Sequence, residues 1–584
     1  MQNKFLKGIL SGSVLLLITF AIPAQGTWTT LTNVTADTSG GGMLLLSDGT
    51  VLTKTFTESS GISGVGDIWD RLIPDSTGSY VNGSWQAVAP MNSSRLYFSS
   101  QLLKDGRLYV AGGEYGTGLN KAETYNSLNN TWTSVPVPAG DTLYDANSAM
   151  LPDGRVLQAV LVSHVVNANI FFNPLTNTYS SAPSSHGCAD EASYVKLPDN
   201  SILFIQNPIV TANYRSERYI PATNQWVQDA FLPDSLWKFG EIGTGMLLPN
   251  GKAIFFGASG HTAYYTPSGN ASAGSWIAGP DLPSGLGTPD APAALLPNGH
   301  ILLAASPIPT SDTTVFLTPA YLFEFDYTNN TFTPVPVPGG AGSVNTTCYE
   351  LNMLNLPDGS VMLSDMGDTH YYVYQSTGSP LAMAKPTISQ ITQQGCKFAI
   401  TGTLFNGISE GSSYGDDWQT ATNYPIIRLT LGSNVYYARS FNWNRTGVQT
   451  GSLADTAQFT LPAGLKAGIY SVVVTANGVA SDPMSLNYTP CFTGIAEEQE
   501  SLFSMKVFPN PTNELTHVEF QTMHESPVTI RMIDLLGRAI YEESRKAETG
   551  NNSFMLNTGA FPKGIYLLSL QQEGRRLQTT VVVE

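Results

Sequence analysis

A four-residue string, Leu-Pro-Asp-Gly or a near copy of it, recurs seven times between residues 46 and 359 and leaves the chain few folds to choose from. The copies are Leu46-Ser47-Asp48-Gly49, Leu103-Lys104-Asp105-Gly106, Leu151-Pro152-Asp153-Gly154, Leu197-Pro198-Asp199-Asn200, Leu248-Pro249-Asn250-Gly251, Leu296-Pro297-Asn298-Gly299 and Leu356-Pro357-Asp358-Gly359. Each stands between two short apolar runs. Asp-Gly or Asn-Gly in that setting makes a tight hairpin, because Gly and Asn take positive φ at little cost. The Asp or Asn positions lie 57, 48, 46, 51, 48 and 60 residues apart. That period belongs to a propeller of four-stranded blades.

An aromatic residue closes each unit after a polar turn: Trp85, Trp132, Tyr179, Trp226, Trp276 and Phe332 follow the first six hairpins. None clearly follows the seventh, whereas Trp28 stands ahead of the first. The N-terminal strand is therefore expected to complete the seventh blade and close the ring, which leaves no open sheet edge at the join.

The remaining segments divide by composition. Residues 1–26 combine Lys4 and Lys7 with the apolar run Ile9 to Ala24 and a small-residue exit, the pattern of a secretory signal peptide. The run is too short to span a membrane, so the mature chain is expected to carry no transmembrane segment. The seven-bladed propeller is assigned to residues 27–385. Residues 386–492 alternate apolar and polar in short runs, such as Ile426 to Leu431 and Gly468 to Val474, and read as an Ig-like β-sandwich. Residues 493–503, with acidic Glu497, Glu498 and Glu500, form the linker to a small β domain at 504–584. The fold class is all-β throughout.

Net charge is -17, and only 12% of residues are charged. That balance argues against nucleic acid or anionic lipid as a partner. Four cysteines in an exported chain permit two bridges. Cys396 with Cys491 would tie the first strand of the sandwich to its last. Cys188 and Cys348 occupy entry loops at one face of the ring and are the second candidate pair, with free thiols as the alternative.

The strand ahead of each hairpin lines the propeller channel, so its first residues lie at the mouth opposite the turns. Eight residues ahead of each Asp or Asn the chain carries Gly40, Tyr97, Asp145, Glu191, Ile242, Asp290 and Glu350, with Asp190 and Glu241 one place earlier in two of the blades. Three accounts fit this concentration of acids. Asp145, Glu191, Asp290 and Glu350 can ligate a hard cation such as calcium. A pair of them can perform acid/base chemistry on a glycoside. Or they accept N–H bonds from neighbouring loops and fasten the blades. Tyr97, Tyr115, Tyr349 and Trp237 are candidates for an aromatic floor on which sugar rings stack. His186, His261, His300 and His370 hold unlike positions in their blades and are not expected to converge.

Two resemblances add to this reading. The last eighty or so residues, with Val507-Phe508-Pro509-Asn510-Pro511, Leu536-Gly537-Arg538 and Gly564-Ile565-Tyr566, resemble the C-terminal sorting domain of the type IX secretion system of Bacteroidota. That resemblance implies the secretion machinery as a partner and a secreted or surface-attached product. Residues 27–490 resemble the galactose oxidase and glyoxal oxidase group, a seven-bladed kelch propeller followed by an early-set Ig-like domain. Blade two carries the likeness, with Arg95-Leu96-Tyr97 ahead of Asp105-Gly106-Arg107 and then Gly112-Gly113-Glu114-Tyr115. The resemblance implies a crosslinked redox tyrosine at Tyr97, a stacking aromatic at Tyr115 and an axial tyrosine at Tyr349.

The departures are as informative. Glu350 stands where the group has a copper-binding histidine, and Ala36 to Met43 lacks the crosslinking cysteine. The sandwich segment Gly432 to Tyr436, matched to the loop that supplies a second histidine, offers only Tyr436. The expectation is a carbohydrate-interacting protein, with polysaccharide or glycoprotein glycan as its partner and without copper-radical chemistry; calcium is the cofactor that fits, and copper does not. A divergent oxidase, a polysaccharide hydrolase or lyase, and an adhesin are the alternatives.

Overall fold

The computed structural model describes residues 26–56, 64–163, 167–207, 215–283, 285–413, 422–448, 451–490, 505–522, 525–572 and 575–584. The segment expected to be a signal peptide, save Gly26, the expected linker and Cys491 lie outside them. Seven antiparallel sheets form the propeller. In blade two the strands Ser99–Leu102, Leu108–Ala111, Ala122–Asn126 and Thr131–Val135 run in order from channel to rim. In blade seven the rim strand is Thr27–Thr30, paired with Tyr371–Gln375 in the register Trp28 to Tyr374. The N-terminal strand closes the ring.

The recurrent string does the same work in every blade. Its Gly, or Asn200, is in the left-handed region, from φ 64 at Asn200 to φ 91 at Gly299. The Asp or Asn side chain accepts the N–H two residues on, at 2.9 Å from Arg107 and Arg155 and 3.0 Å from Lys252 and Ser360. An otherwise bare turn amide is satisfied in each case. The closing aromatics act between blades. The indole N–H of Trp132 donates to Ala89 O at 2.8 Å, that of Trp226 to Pro183 O at 3.1 Å, that of Trp85 to Asn33 O at 2.9 Å, and that of Trp28 to Pro336 O at 2.7 Å. Each acceptor follows the rim strand of the preceding blade. Trp28 thus fastens the join as the others fasten ordinary neighbours.

The sandwich packs on the turn face, and with the propeller it makes one compact unit. Tyr437 lies against Gly49, Tyr424 Oη donates to Leu45 O at 2.6 Å, and Val435 N–H to Ser76 O at 2.8 Å. One segment goes further. Glu410–Ser413 pairs antiparallel with the inner strand of blade five, in the register Gly245 to Ser413 and Leu247 to Glu410. Inner strands present an unpaired edge to the channel, and a guest strand satisfies it. Because Leu247 adjoins the hairpin turn, this strap runs from the turn face toward the mouth. Side-chain amides clamp its base: Asn423 Nδ2 donates to Asn406 O and Ser409 O, and Asn477 Nδ2 to Ser409 O. Glu410 is held 3.7 Å from Lys196 Nζ of blade four.

This corrects the sequence reading of the inserted loop. The segment Gly432 to Tyr436 is a hairpin turn of the sandwich against the turn face, and Tyr436 packs on Tyr470. The segment that enters the ring comes earlier in the chain.

The C-terminal domain is a separate compact unit of one three-stranded and one four-stranded sheet, closed around Val518, Ile530, Leu568 and Val581. No helix among the described residues is long and apolar enough to cross a membrane.

Replacing Trp28 by Ala removes the indole bond and part of the join's apolar surface. The expected loss is about 2–4 kcal/mol of propeller stability, read from chemical unfolding followed by tryptophan fluorescence. The rim-exposed Leu175→Ala is expected to leave the transition unmoved.

Candidate functional site at the channel mouth

The chain enters several inner strands through a left-handed residue: Tyr97 at φ 51, Glu191 at φ 50 and Asp290 at φ 47, with Tyr144 at φ 50 beside Asp145. Such conformations cost about 1–3 kcal/mol each for non-glycine residues and persist only where the surroundings enforce them. Here they turn the entry loops inward over the channel.

Carboxylates from four consecutive blades meet there. Carboxylate oxygens of Asp145, Asp190 and Glu191 lie within 4.8 Å of one another, as do those of Glu191, Glu241 and Asp290. Glu191 belongs to both groups. Asp145 and Asp290 are buried, and Glu191 and Glu241 half-buried. Burial pushes the Asp145 carboxyl up to about 6, against a hydrogen bond with Glu191 that pulls it down. Burial likewise pushes Glu241 up to about 7, against a hydrogen bond with Asp290.

Glu114 joins this set. Its N–H donates to Tyr97 O at 2.9 Å and its side chain bonds Tyr115, while burial and the neighbouring Asp145 raise its carboxyl to about 7. Glu114 arrives from the exit of a second strand, Leu108–Ala111, and not from the entry to an inner one. Its signal in the sequence was an acid set between Gly112-Gly113 and Tyr115.

Three tyrosines come together. Tyr97 and Tyr115 meet edge to face at 6.2 Å between ring centres, and Tyr97 and Tyr349 at 6.5 Å. Phe316 extends the wall against Tyr349 at 4.6 Å. Tyr115 and Phe316 are the exposed members. Trp237 is elsewhere: it is buried among Val195, Leu236 and Ile242 between blades four and five, because its entry loop folds down onto that interface.

Two further expectations are corrected. Glu350 is in neither carboxylate group. Its Oε2 accepts from Thr346 Oγ1 and from Thr347 N–H, capping the short 3₁₀ turn Cys348–Glu350, and it faces Asp365, whose carboxyl burial raises to about 6. Cys188 and Cys348 are free. The Cys348 thiol is fully buried between blades six and seven and donates to Pro289 O at 2.9 Å, which holds it away from the mouth. Cys396 is disulfide-bonded.

The histidines do not converge: His186 pairs with Glu217, His261 with Asp281, His300 with Glu324 and His370 with Asp368. The groups with several potential ligands are carboxylate-only among the described residues. Such a donor set fits a hard cation and does not fit the imidazole- and phenolate-bound copper of the oxidase group.

Two family models match stretches of the chain. Residues 506–584 match the family model of the secretion system C-terminal sorting domain, and residues 104–136, in blade two, match the Kelch motif. No curated protein sequence matches the chain. Among solved structures, a fungal alcohol oxidase of the AA5 family, in complex with copper, is similar over 80% of this chain and 99% of its own, at 14% identity and a TM-score of 0.46. Hydrazine synthase of Kuenenia stuttgartiensis covers 53% of this chain and 98% of its own at 12% identity and a TM-score of 0.32. A Bacteroides thetaiotaomicron protein of unknown function covers 61% and 99% at 8% identity and a TM-score of 0.32. The chain is a kelch-type propeller with an Ig-like sandwich and a type IX secretion sorting domain. It is cargo of that machinery, delivered to the cell surface or the extracellular space.

Carboxyls raised in the folded state bind protons that the unfolded chain has released. Their stabilisation is complete below the unfolded values near 4 and is lost as pH rises through the folded values, about 6 for Asp145 and about 7 for Glu114 and Glu241. Stability is expected to fall between about pH 5 and about pH 8, and Glu241→Gln to recover about 1–3 kcal/mol of it at the upper end. Unfolding midpoints of both proteins across that range test this.

Proposed function

We propose that this secreted protein binds glycan at the propeller mouth and is not a copper-radical oxidase. The observation that carries the reading is the adjacency of two surfaces. Tyr97, Tyr115 and Tyr349 form an edge-to-face wall, and Glu114 links it to the carboxylates of Asp145, Asp190, Glu191, Glu241 and Asp290. Sugar rings present an apolar face that stacks on tyrosine, and hydroxyls at the ring edge that donate to carboxylates. The partly exposed Tyr115 and Phe316 offer the stacking surface, and the buried acids offer acceptors behind it.

Against the oxidase reading stand Glu350, used as a cap where an imidazole is needed, and a mouth of hard oxygen donors. A hydrolase reading has one observation in its favour. The carboxylate oxygens of Asp145 and Asp190 lie within 4.8 Å, close to the separation of about 5–5.5 Å between acid and nucleophile in retaining glycosidases.

The test is binding of soluble polysaccharides followed by calorimetry. Tyr115→Ala is expected to weaken binding about 10-fold, in keeping with the roughly 0.5–1.5 kcal/mol of an aromatic contact beyond its buried area. Copper-loaded protein is expected to release no hydrogen peroxide from primary alcohols or aldehydes. Polysaccharide binding that Tyr115→Ala leaves untouched would overturn the reading. Release of reducing ends, lost in Asp145→Asn, would favour the hydrolase.

A further inference from the structure

Fourteen non-glycine residues among those described have positive φ, and eight of them are asparagines, which take that conformation at small cost. Of the other six, Tyr97, Tyr144, Glu191 and Asp290 are the mouth entries described above, and Leu404 belongs to the sandwich. The sixth is Phe239, at φ 54. Phe239 and Gly240 form the two-residue tip of a hairpin in blade five. Its arms are Lys238 and Glu241: Lys238 N–H donates to Glu241 O at 2.9 Å, and Glu241 N–H to Lys238 O at 3.3 Å. Such a tip takes positive φ at both positions, which Asn-Gly or Asp-Gly supplies with ease and Phe does not.

Trp237 and Ile242, just outside the paired arms, are buried between blades four and five, so the tip projects from the mouth face. Phe239 is 42% exposed, and Lys238 Nζ lies over its ring at 5.2 Å from the centre. Backbone and water both disfavour this side chain here, and contact with a ligand accounts for both costs. The position of the tip indicates which ligand. Glu241 brings its carboxylate to those of Glu191 and Asp290, so Phe239 stands at one end of the row of acids. At the other end Glu114 adjoins Tyr115. Blades two and five are three apart in a ring of seven, which sets the two aromatic surfaces on opposite sides of the acids. A ligand that stacks on both must extend across that row. The carboxyl groups it would cross disfavour uronate-bearing or sulfated chains.

We propose, resting on the glycan reading above, that the mouth takes an extended, uncharged polysaccharide chain, with Phe239 as a second stacking subsite across the acids from Tyr115.

The experiment is calorimetry of the full-length protein with soluble neutral glucan, xylan, mannan and galactan, and with polygalacturonate and alginate as charged comparisons. The oligosaccharide ladder of whichever polymer binds follows. Phe239→Ala is expected to weaken the polymer and the longer oligosaccharides about 3- to 10-fold, the worth of one aromatic contact, and to leave the shortest binding oligosaccharide at its wild-type affinity. Tyr115→Ala should weaken short and long alike. Phe239→Asn suits the turn, so it should lose the same affinity while raising the unfolding midpoint of the free protein. A midpoint lowered by Phe239→Asn would assign the ring to packing and overturn the subsite. Polymer affinity lowered by Tyr115→Ala but not by Phe239→Ala would also overturn it and leave the glycan reading standing. Binding of the charged polymers alone would overturn the uncharged chain. Binding of no polymer would overturn the glycan reading itself, and this inference with it.

Discussion

Everything at the channel mouth depends on the ring being closed by Thr27–Thr30. Seven blades converge their entry loops only if the last is held against the first, and the hold consists of a four-residue ladder and one indole N–H on Pro336 O. The other fastenings are local to adjacent blades in sequence. This one joins residues more than 300 apart, so its loop-closure cost is the largest, though it grows only as the logarithm of length. Aromatic contact helps to offset that cost, with Trp28 on Tyr374 at 4.8 Å and Trp85 on Tyr371 at 4.9 Å.

Closure in turn forces acids together. Two full charges 4.8 Å apart repel by roughly 3 kcal/mol at an effective dielectric of 20, more than the about 1 kcal/mol a single hydrogen bond returns. Sharing protons is the cheaper arrangement. Asp145 with Glu191 and Glu241 with Asp290 are joined by hydrogen bonds between carboxyl groups, and the raised values at Asp145 and Glu241 express this. A hydroxyl-rich ligand or a hard cation would relieve the same repulsion. The left-handed entries at Tyr97, Glu191 and Asp290 show that the loops are held over the channel against their local preference.

The ring was legible because its determinants are short-range and repeated. Asp153-Gly154 makes its turn with atoms of residues 151–155, and seven copies at a fixed spacing leave little ambiguity. The tyrosine wall was legible for the related reason that Tyr97, Tyr115 and Tyr349 sit at fixed offsets from those turns. What the sequence hid depends on contacts between distant segments. Glu410–Ser413 has no signature of a strand that fills a channel edge, since its partner Gly245–Leu247 lies more than 160 residues earlier. Cys348 looked pairable from its offset, but its side chain points into the blade interface. Glu114 was hidden because a register counted back from the turns marks strand entries and passes over the exit of the second strand.

Glu350 shows how a single residue can depart from a resemblance in architecture. The residue beside Tyr349 sits at the end of a 3₁₀ turn whose first N–H groups need an acceptor, and its carboxylate accepts from both Thr347 N–H and Thr346 Oγ1. An imidazole there could not accept both while also facing a metal, so a metal-binding histidine at this position would require the turn from Thr346 to Leu351 to be rebuilt. The acid is therefore tied to its own loop. Its removal would disturb the placement of Tyr349, and through Tyr349 the wall that Tyr97 and Tyr115 complete.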